Sequence, residues 1–359
     1  MNEDSSMQAP SFRARTVGTL ALLAACFGPM HPSQAVTIAT FPAPTALENL
    51  VIDPAGDIFA TNLTSGTIFQ VTPAGASRVF GQVPGAATGI ARDTSGSLIV
   101  TGRTDVFRLA PNGSASIAAS VAGAGMLNGV TPFSPGVVLV ADSRAATIWQ
   151  VDLNTGQSRP WSIDPQLAPA AGAAVAVGAN GVKIFGNDVY VSNTSSAVVL
   201  RIPILPDGTA GTASIYASNI ALDDFAFAVD GTLFGATQRG NSVVSLAPGG
   251  MPMTIATAAD GLLGDAAVAF GRTAADSQSI YVVNNGGAFL MLPGGPQDGS
   301  IVRLDVGIAG AALDAQAVSV PEPLAAHLLA SGLSLLLLVR RGGFAARASV
   351  LHGPGKRTL

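Results

Sequence analysis

The chain has 359 residues, a formal net charge of −4, 48% hydrophobic residues and only 11% charged ones. Between residues 36 and 319 it has neither Cys nor His, which excludes a Ser–His–Asp triad, a Cys–His pair, and zinc held by thiolate or imidazole. The same stretch carries 11 Lys and Arg against 19 Asp and Glu, a net charge of −8 with no basic stripe, so nucleic acid is not an expected partner.

At the start, Arg13 and Arg15 precede an apolar run from Val17 to Phe27, and Ser33-Gln34-Ala35 offers a small-residue cleavage site. Residues 1–35 therefore read as a secretory signal peptide cut after Ala35. A second reading stands beside it: Leu23-Ala24-Ala25-Cys26 has the form of a lipobox, whose cysteine would carry lipid. Next comes a short β-branched stretch, Val36–Phe41. It is expected to add an outer strand to the last repeat and so close a ring.

Residues 36–319 form one array of six similar units. Each opens on a polar residue, followed by an apolar run, a Gly-containing turn and a second run. The openers are Glu48 (ENLVIDPAGDIFATN), Thr88 (TGIARDTSGSLIVTG), Asn128 (NGVTPFSPGVVLVAD), Asn180 (NGVKIFGNDVYVSN), Asp223 (DDFAFAVDGTLFGAT) and Asp265 (DAAVAFGRTAADSQSIYVVN). They lie 40, 40, 52, 43 and 42 residues apart. A period near 40 with several short strands per unit predicts an all-β, six-bladed β-propeller.

After the array, Pro321-Glu322-Pro323 precedes an apolar run over 324–339, then Arg340-Arg341. Sixteen helical residues would extend about 24 Å, enough to span a bilayer when flanking arginines snorkel. The arginines keep the tail, 342–359, cytoplasmic and put the repeats outside. Residues 320–341 resemble the PEP-CTERM sorting signal of Gram-negative bacteria: a Pro-Glu-Pro motif, one hydrophobic helix and an Arg-rich end. That resemblance implies an exosortase as processing partner, a transient inner-membrane anchor, and delivery to the cell surface or extracellular matrix.

A propeller aims its inner strands at one channel, so the six openers should converge there. Eight residues separate Glu48 from Gly56, Thr88 from Gly96, Asn128 from Gly136, and Asp223 from Gly231, so these openers share one register. Of the 19 acidic residues in 36–319, 18 are Asp, and the one Glu stands at this register. A ring of carboxylates, amides and a hydroxyl suits a hard divalent cation: calcium first, with manganese or magnesium as alternatives.

Four motifs in order carry a further resemblance: Glu48-Asn49-Leu50, Ala179-Asn180-Gly181-Val182, Asp223-Asp224-Phe225 and Phe270-Gly271-Arg272. They resemble the senescence-marker/gluconolactonase/luciferin-regenerating family of six-bladed propellers, and most closely a fungal branch that includes hetero-Diels–Alderases. The resemblance implies a metal held by Glu48, Asn180 and Asp223, with Asn128 facing the substrate; Thr88, at the same register, is a further expected substrate contact. Asp224 stands where the lactonases usually carry Gly, which places a second carboxylate beside the cation. Asp265-Ala266 replaces the family's Pro-Thr.

The expected chemistry is lactone or ester hydrolysis on a small lactone, with Asp224 or Asp265 accepting a proton from metal-bound water. The alternative is a non-catalytic matrix or binding propeller whose channel holds a structural ion or water alone.

Overall fold

The computed structural model describes residues 35–312, all strand, turn and short 3-10 segments, with no α-helix among them. The signal segment with Cys26, the sorting motif Pro321, Glu322, Pro323, Arg340 and Arg341, and the expected helix over 324–339 lie outside the described residues. Within the described residues no helix is long and apolar enough to cross a membrane.

Twenty-four strands form six four-stranded antiparallel sheets. Strand β1 (Val36–Phe41) comes before the first full blade. Blade 1 is β2 (Leu47–Ile52), β3 (Ile58–Asn62), β4 (Thr67–Val71) and β5 (Ser77–Gln82). Blade 2 is β6 (Ile90–Arg92), β7 (Leu98–Gly102), β8 (Asp105–Leu109) and β9 (Ala115–Ser120). Blade 3 is β10 (Leu127–Ser134), β11 (Val137–Asp142), β12 (Thr147–Asp152) and β13 (Ser158–Ile163). Blade 4 is β14 (Ala179–Phe185), β15 (Asp188–Asn193), β16 (Val198–Pro203) and β17 (Ser214–Ser218). Blade 5 is β18 (Phe225–Phe227), β19 (Leu233–Ala236), β20 (Val243–Leu246) and β21 (Met253–Ala256). The last blade holds β22 (Asp265–Phe270), β23 (Ser279–Asn284) and β24 (Gly299–Asp305), and β1 completes it, with Phe41 opposite Gly299. The N-terminal strand thus closes the ring, as its sequence predicts.

Burial grades across each blade. The inner strand β2 is buried at every position, whereas the outer strand β5 is exposed or half-buried throughout. A strand packed on both faces reads as a continuous apolar run, which is why the first run of each repeat is legible. The apolar residues gather into six clusters, one at each interface between neighbouring blades. Leu50, Ile58 and Phe41 meet Ala267 and Val283 at the closure, for example. The centre therefore stays open as a channel.

The first hairpin turn repeats the same local chemistry. Asp53 Oδ1 accepts the N–H groups of Ala55 and Asp57, and Asp93 Oδ1 those of Ser95 and Ser97. Gly56 and Gly96 take φ of +89° and +87°, the left-handed conformation such turns need.

A second repeated device joins the blades. A hydroxyl at the end of the second strand donates to the backbone carbonyl at the opening of the next blade. Thr61 reaches Thr88 at 2.7 Å, Thr101 reaches Asn128, Ser143 reaches Ala179 at 2.8 Å, and Ser192 reaches Asp223 at 2.8 Å.

Candidate functional site: a carboxylate ring in the channel

Most openers sit at a break in strand register. Pairing shifts between Leu47 and Leu50, Leu127 and Val130, Ala179 and Val182, and Asp265 and Ala267. A bulge re-aims one or two side chains out of the regular alternation. The residues in those bulges include Glu48, Asn128 and Asn180. Gly129 and Gly181 follow two of them because a Cβ there would press on the start of the next blade: on the Asn180 carbonyl at Gly129 and on the Asp224 carboxylate at Gly181.

Glu48, Asp223 and Asp224 form one electrostatic cluster. Glu48 is buried and its Oε2 has no hydrogen-bond partner. Burial, and then the charge of Asp224, push its carboxyl up to about 7. Asp223 is raised well above the usual carboxylate range by burial, then by Glu48 and Asp224, with Asp265 adding to the push. One amide opposes that rise, since Asn180 Nδ2 donates to Asp223 Oδ1; Gln238 Nε2 also donates to Oδ2, at 2.8 Å.

Asp224 is not the free base the sequence suggested. Lys183 Nζ lies 2.7 Å from both of its carboxylate oxygens, Asn49 Nδ2 donates to Oδ2 at 2.8 Å, and the Phe225 N–H donates to Oδ1 at 2.7 Å. The residue after the blade-5 opener is thus partnered by a lysine of blade 4 and an amide of blade 1. Lys183 and Asn49 belong to this cluster although sequence reasoning gave them no place in it. Asn49 was legible as part of Glu48-Asn49-Leu50; the reach of Lys183 across a blade boundary had no local signal.

The remaining candidates serve the framework. Thr88 Oγ1 lies 2.9 Å from the Thr101 carbonyl and 3.0 Å from the Leu127 carbonyl. Asn128 Nδ2 donates to Ser143 Oγ at 3.2 Å. Asp265 is fully buried, and its Oδ2 accepts the Thr237 N–H at 2.8 Å, so it anchors the blade-5 loop. Its Oδ1 has no partner, and burial raises its carboxyl to about 7.

A divalent cation suits this chemistry in one respect and meets an obstacle in another. The available donors are hard oxygens, and buried Glu48 Oε2 has no hydrogen-bond partner. Yet Asn180 turns its amide nitrogen, not its carbonyl, toward Asp223. Among the described residues no three His, Cys, Asp or Glu side chains converge as a ready ligand set. Coordination by Glu48, Asn180 and Asp223 therefore requires the Asn180 amide to turn over.

A cavity of about 610 Å³ lies elsewhere along the channel. Its walls come from later positions on the inner strands, such as Ile52, Ile90, Phe227 and Phe270, and Lys183 is the one member of the cluster that reaches it.

No family model and no curated protein matches the sequence. Solved structures do match the fold. A gluconolactonase from Xanthomonas campestris superposes with a TM-score of 0.60 at 15% identity, over 77% of this chain and 91% of its own. A calcium-binding regucalcin from Agrobacterium tumefaciens gives 0.59 at 15% identity, over 76% and 95%. A luciferin-regenerating enzyme gives 0.59 at 12% identity, over 76% and 97%. At these identities the likeness carries the six-bladed fold and not the chemistry.

Proposed function

We propose that the chain is an exported, lactonase-like propeller that holds a divalent cation, calcium first, through Glu48, Asn180 and Asp223 and hydrolyses a small lactone. The observation that carries this reading is the buried Glu48 oxygen without a partner, beside a second carboxylate raised by the same crowding. Such uncompensated charge is costly unless a cation offsets it. A cation bound there would polarise an ester carbonyl and lower the pKa of a bound water.

The protein's own groups then divide the work. Glu48 and Asp223 bind, and Asn180 contributes its carbonyl once its amide has turned. Asp265 keeps a free oxygen and a carboxyl near 7, in the range a general base needs at neutral pH. Asp224, committed to Lys183, positions that lysine and does not accept the proton. Export and delivery to the surface of a Gram-negative cell rest on the terminal motifs, with an exosortase as processing partner.

One observation favours a non-catalytic matrix propeller instead. Both expected substrate contacts, Thr88 and Asn128, hydrogen-bond within the framework. Calorimetric titration of calcium into chelator-treated protein separates the readings, with Glu48→Gln as control and a panel of sugar and acyl lactones as substrates. Calcium binding and metal-dependent turnover, both lost in Glu48→Gln, support the hydrolase. Turnover that survives chelation and Glu48→Gln refutes it. Calcium binding without turnover selects the structural reading.

A further inference from the structure

The cavity of about 610 Å³ has the size of a small-molecule site, and all six blades build its wall. Leu50, Ile90, Val130, Phe227 and Phe270 line it from five of them, and Lys183 from the sixth. Pro54, Thr94, Val229 and Gly271, in turns between first and second strands, line it too, so it extends to the end of the channel away from the openers. The segment after β24 closes one side. Ala311 N–H donates to the Phe227 carbonyl at 2.8 Å, and a Cβ on Gly310 would come within 2.4 Å of Phe270.

Three of the four charged groups on this wall are already engaged. Lys183 Nζ lies 2.7 Å from both Asp224 carboxylate oxygens. Asp93 Oδ1 accepts the Ser95 and Ser97 N–H groups, and Arg108 approaches its Oδ2 at 3.7 Å. Arg272 is held by an interaction of its own. The fourth, Arg92, lies over its own hairpin turn, where a Cβ on Gly96 would come within 2.9 Å of its Nη2. Little charge is left to offset an ion's lost hydration, so the chamber favours a neutral ligand.

Two hydroxyls supply polar contacts on this apolar wall. Thr131, only 8% exposed, and the half-buried Ser277 both line the cavity. Among the described residues neither side-chain oxygen has a hydrogen-bond partner. A hydroxyl left bare beside apolar side chains is compensated when a ligand oxygen accepts from it.

We propose that this cavity binds a neutral, mainly apolar small molecule with one hydrogen-bond-accepting oxygen, of the ketone or ester class. Its apolar body fills the chamber between the inner strands, and its oxygen accepts from the Thr131 hydroxyl. The site is separate from the carboxylate ring and does not depend on the hydrolase reading. That reading is tested at Glu48 with calcium; this one is tested at Thr131 in chelator-treated protein.

The test is a fluorescence titration of the full chain with Prodan, a neutral naphthyl ketone whose emission shifts to the blue when it leaves water. Bound Prodan is then displaced with 2-undecanone or with the matched anion undecanoate. The expected result is saturable one-to-one binding with Kd below about 100 μM, and displacement by the ketone at least about tenfold more effective than by the carboxylate. Thr131→Val, which keeps the shape and removes the hydroxyl, should weaken binding about three- to tenfold, and Thr131→Ser should restore it. Thermal melting shows that each variant keeps its fold, and Thr131→Ala gives the same reading should the valine variant melt early. No saturable binding of Prodan overturns the proposal. So does displacement by undecanoate as effective as by the ketone, or an affinity unchanged in a folded variant without the hydroxyl.

Discussion

Glu48 shows what a single residue can cost a fold. Its carboxyl titrates near 7 in the folded chain and at 4.5 ordinarily. Below about pH 4.5 it is protonated in both states and has no effect. Between about 4.5 and 7 the unfolded chain releases the proton while the folded chain keeps it, so stability falls as pH rises. Above 7 the penalty is complete, on the order of 3 kcal/mol. Asp265, raised by burial from 3.8 to about 7, acts in the same direction. Metal-free protein should therefore melt several degrees higher at pH 5 than at pH 8, and Glu48→Gln should flatten much of that slope. Calcium should restore the midpoint at pH 8 in the native chain and not in the variant. Thermal melts across pH, with and without chelator, read all three.

Lys183 gives the complementary case. Its ammonium is the positive partner of Asp224, whose side chain is almost wholly buried. Lys183→Met should cost about 3–5 kcal/mol, because it leaves a buried carboxylate without its counter-charge. Adding Asp224→Asn should recover most of that loss; a double variant as unstable as the single one would contradict this account. The partnership links blade 4 to blade 5, and nothing within four residues of either position in the chain announces it.

At the scale of the element, the clasps between blades matter more than any one strand's propensity. Thr101 donates to the Asn128 carbonyl and accepts the Gly89 N–H at 2.9 Å, all of it buried. Thr101→Val keeps the shape but leaves both backbone groups unpaired. The expected loss is about 1–3 kcal/mol in denaturant titration. Thr61, Thr101, Ser143 and Ser192 recur 40, 42 and 49 residues apart, so their period was visible in the chain; their acceptors in the next blade were not. The bulges around Glu48, Asn128 and Asn180 had a clearer signal, since a polar residue interrupts an apolar run at each.

For the molecule as a whole, closure of the ring is the decisive contact. Each inter-blade cluster is an interface between two sheets, and the one between the first and last blades depends on β1. Phe41 is buried there, with its ring 4.8 Å from that of Phe69. Phe41→Ala should cost about 3–5 kcal/mol. Deleting 36–41 should lower the melting midpoint further and expose the β24 edge, which size-exclusion chromatography would reveal as association. A truncated protein that stays monomeric with an unchanged midpoint would show that the ring closes without β1.

Much of this architecture could be read from the chain alone. The period near 40 set the blade count, continuous apolar runs marked the inner strands, and Gly-containing turns marked the first hairpins. These are local signals, because strand burial and turn geometry act over a few residues. The common register of Glu48, Thr88, Asn128 and Asp223 was likewise legible, from their equal spacing to the turn glycine. What each opener does was decided only by the tertiary structure. Thr88 and Asn128 were drawn into inter-blade hydrogen bonds, Asp224 into an ion pair with Lys183, and Asp265 into the support of a loop. Charge, burial and partnership are set by residues far apart in the chain, and the closed ring alone brings them within reach of one another.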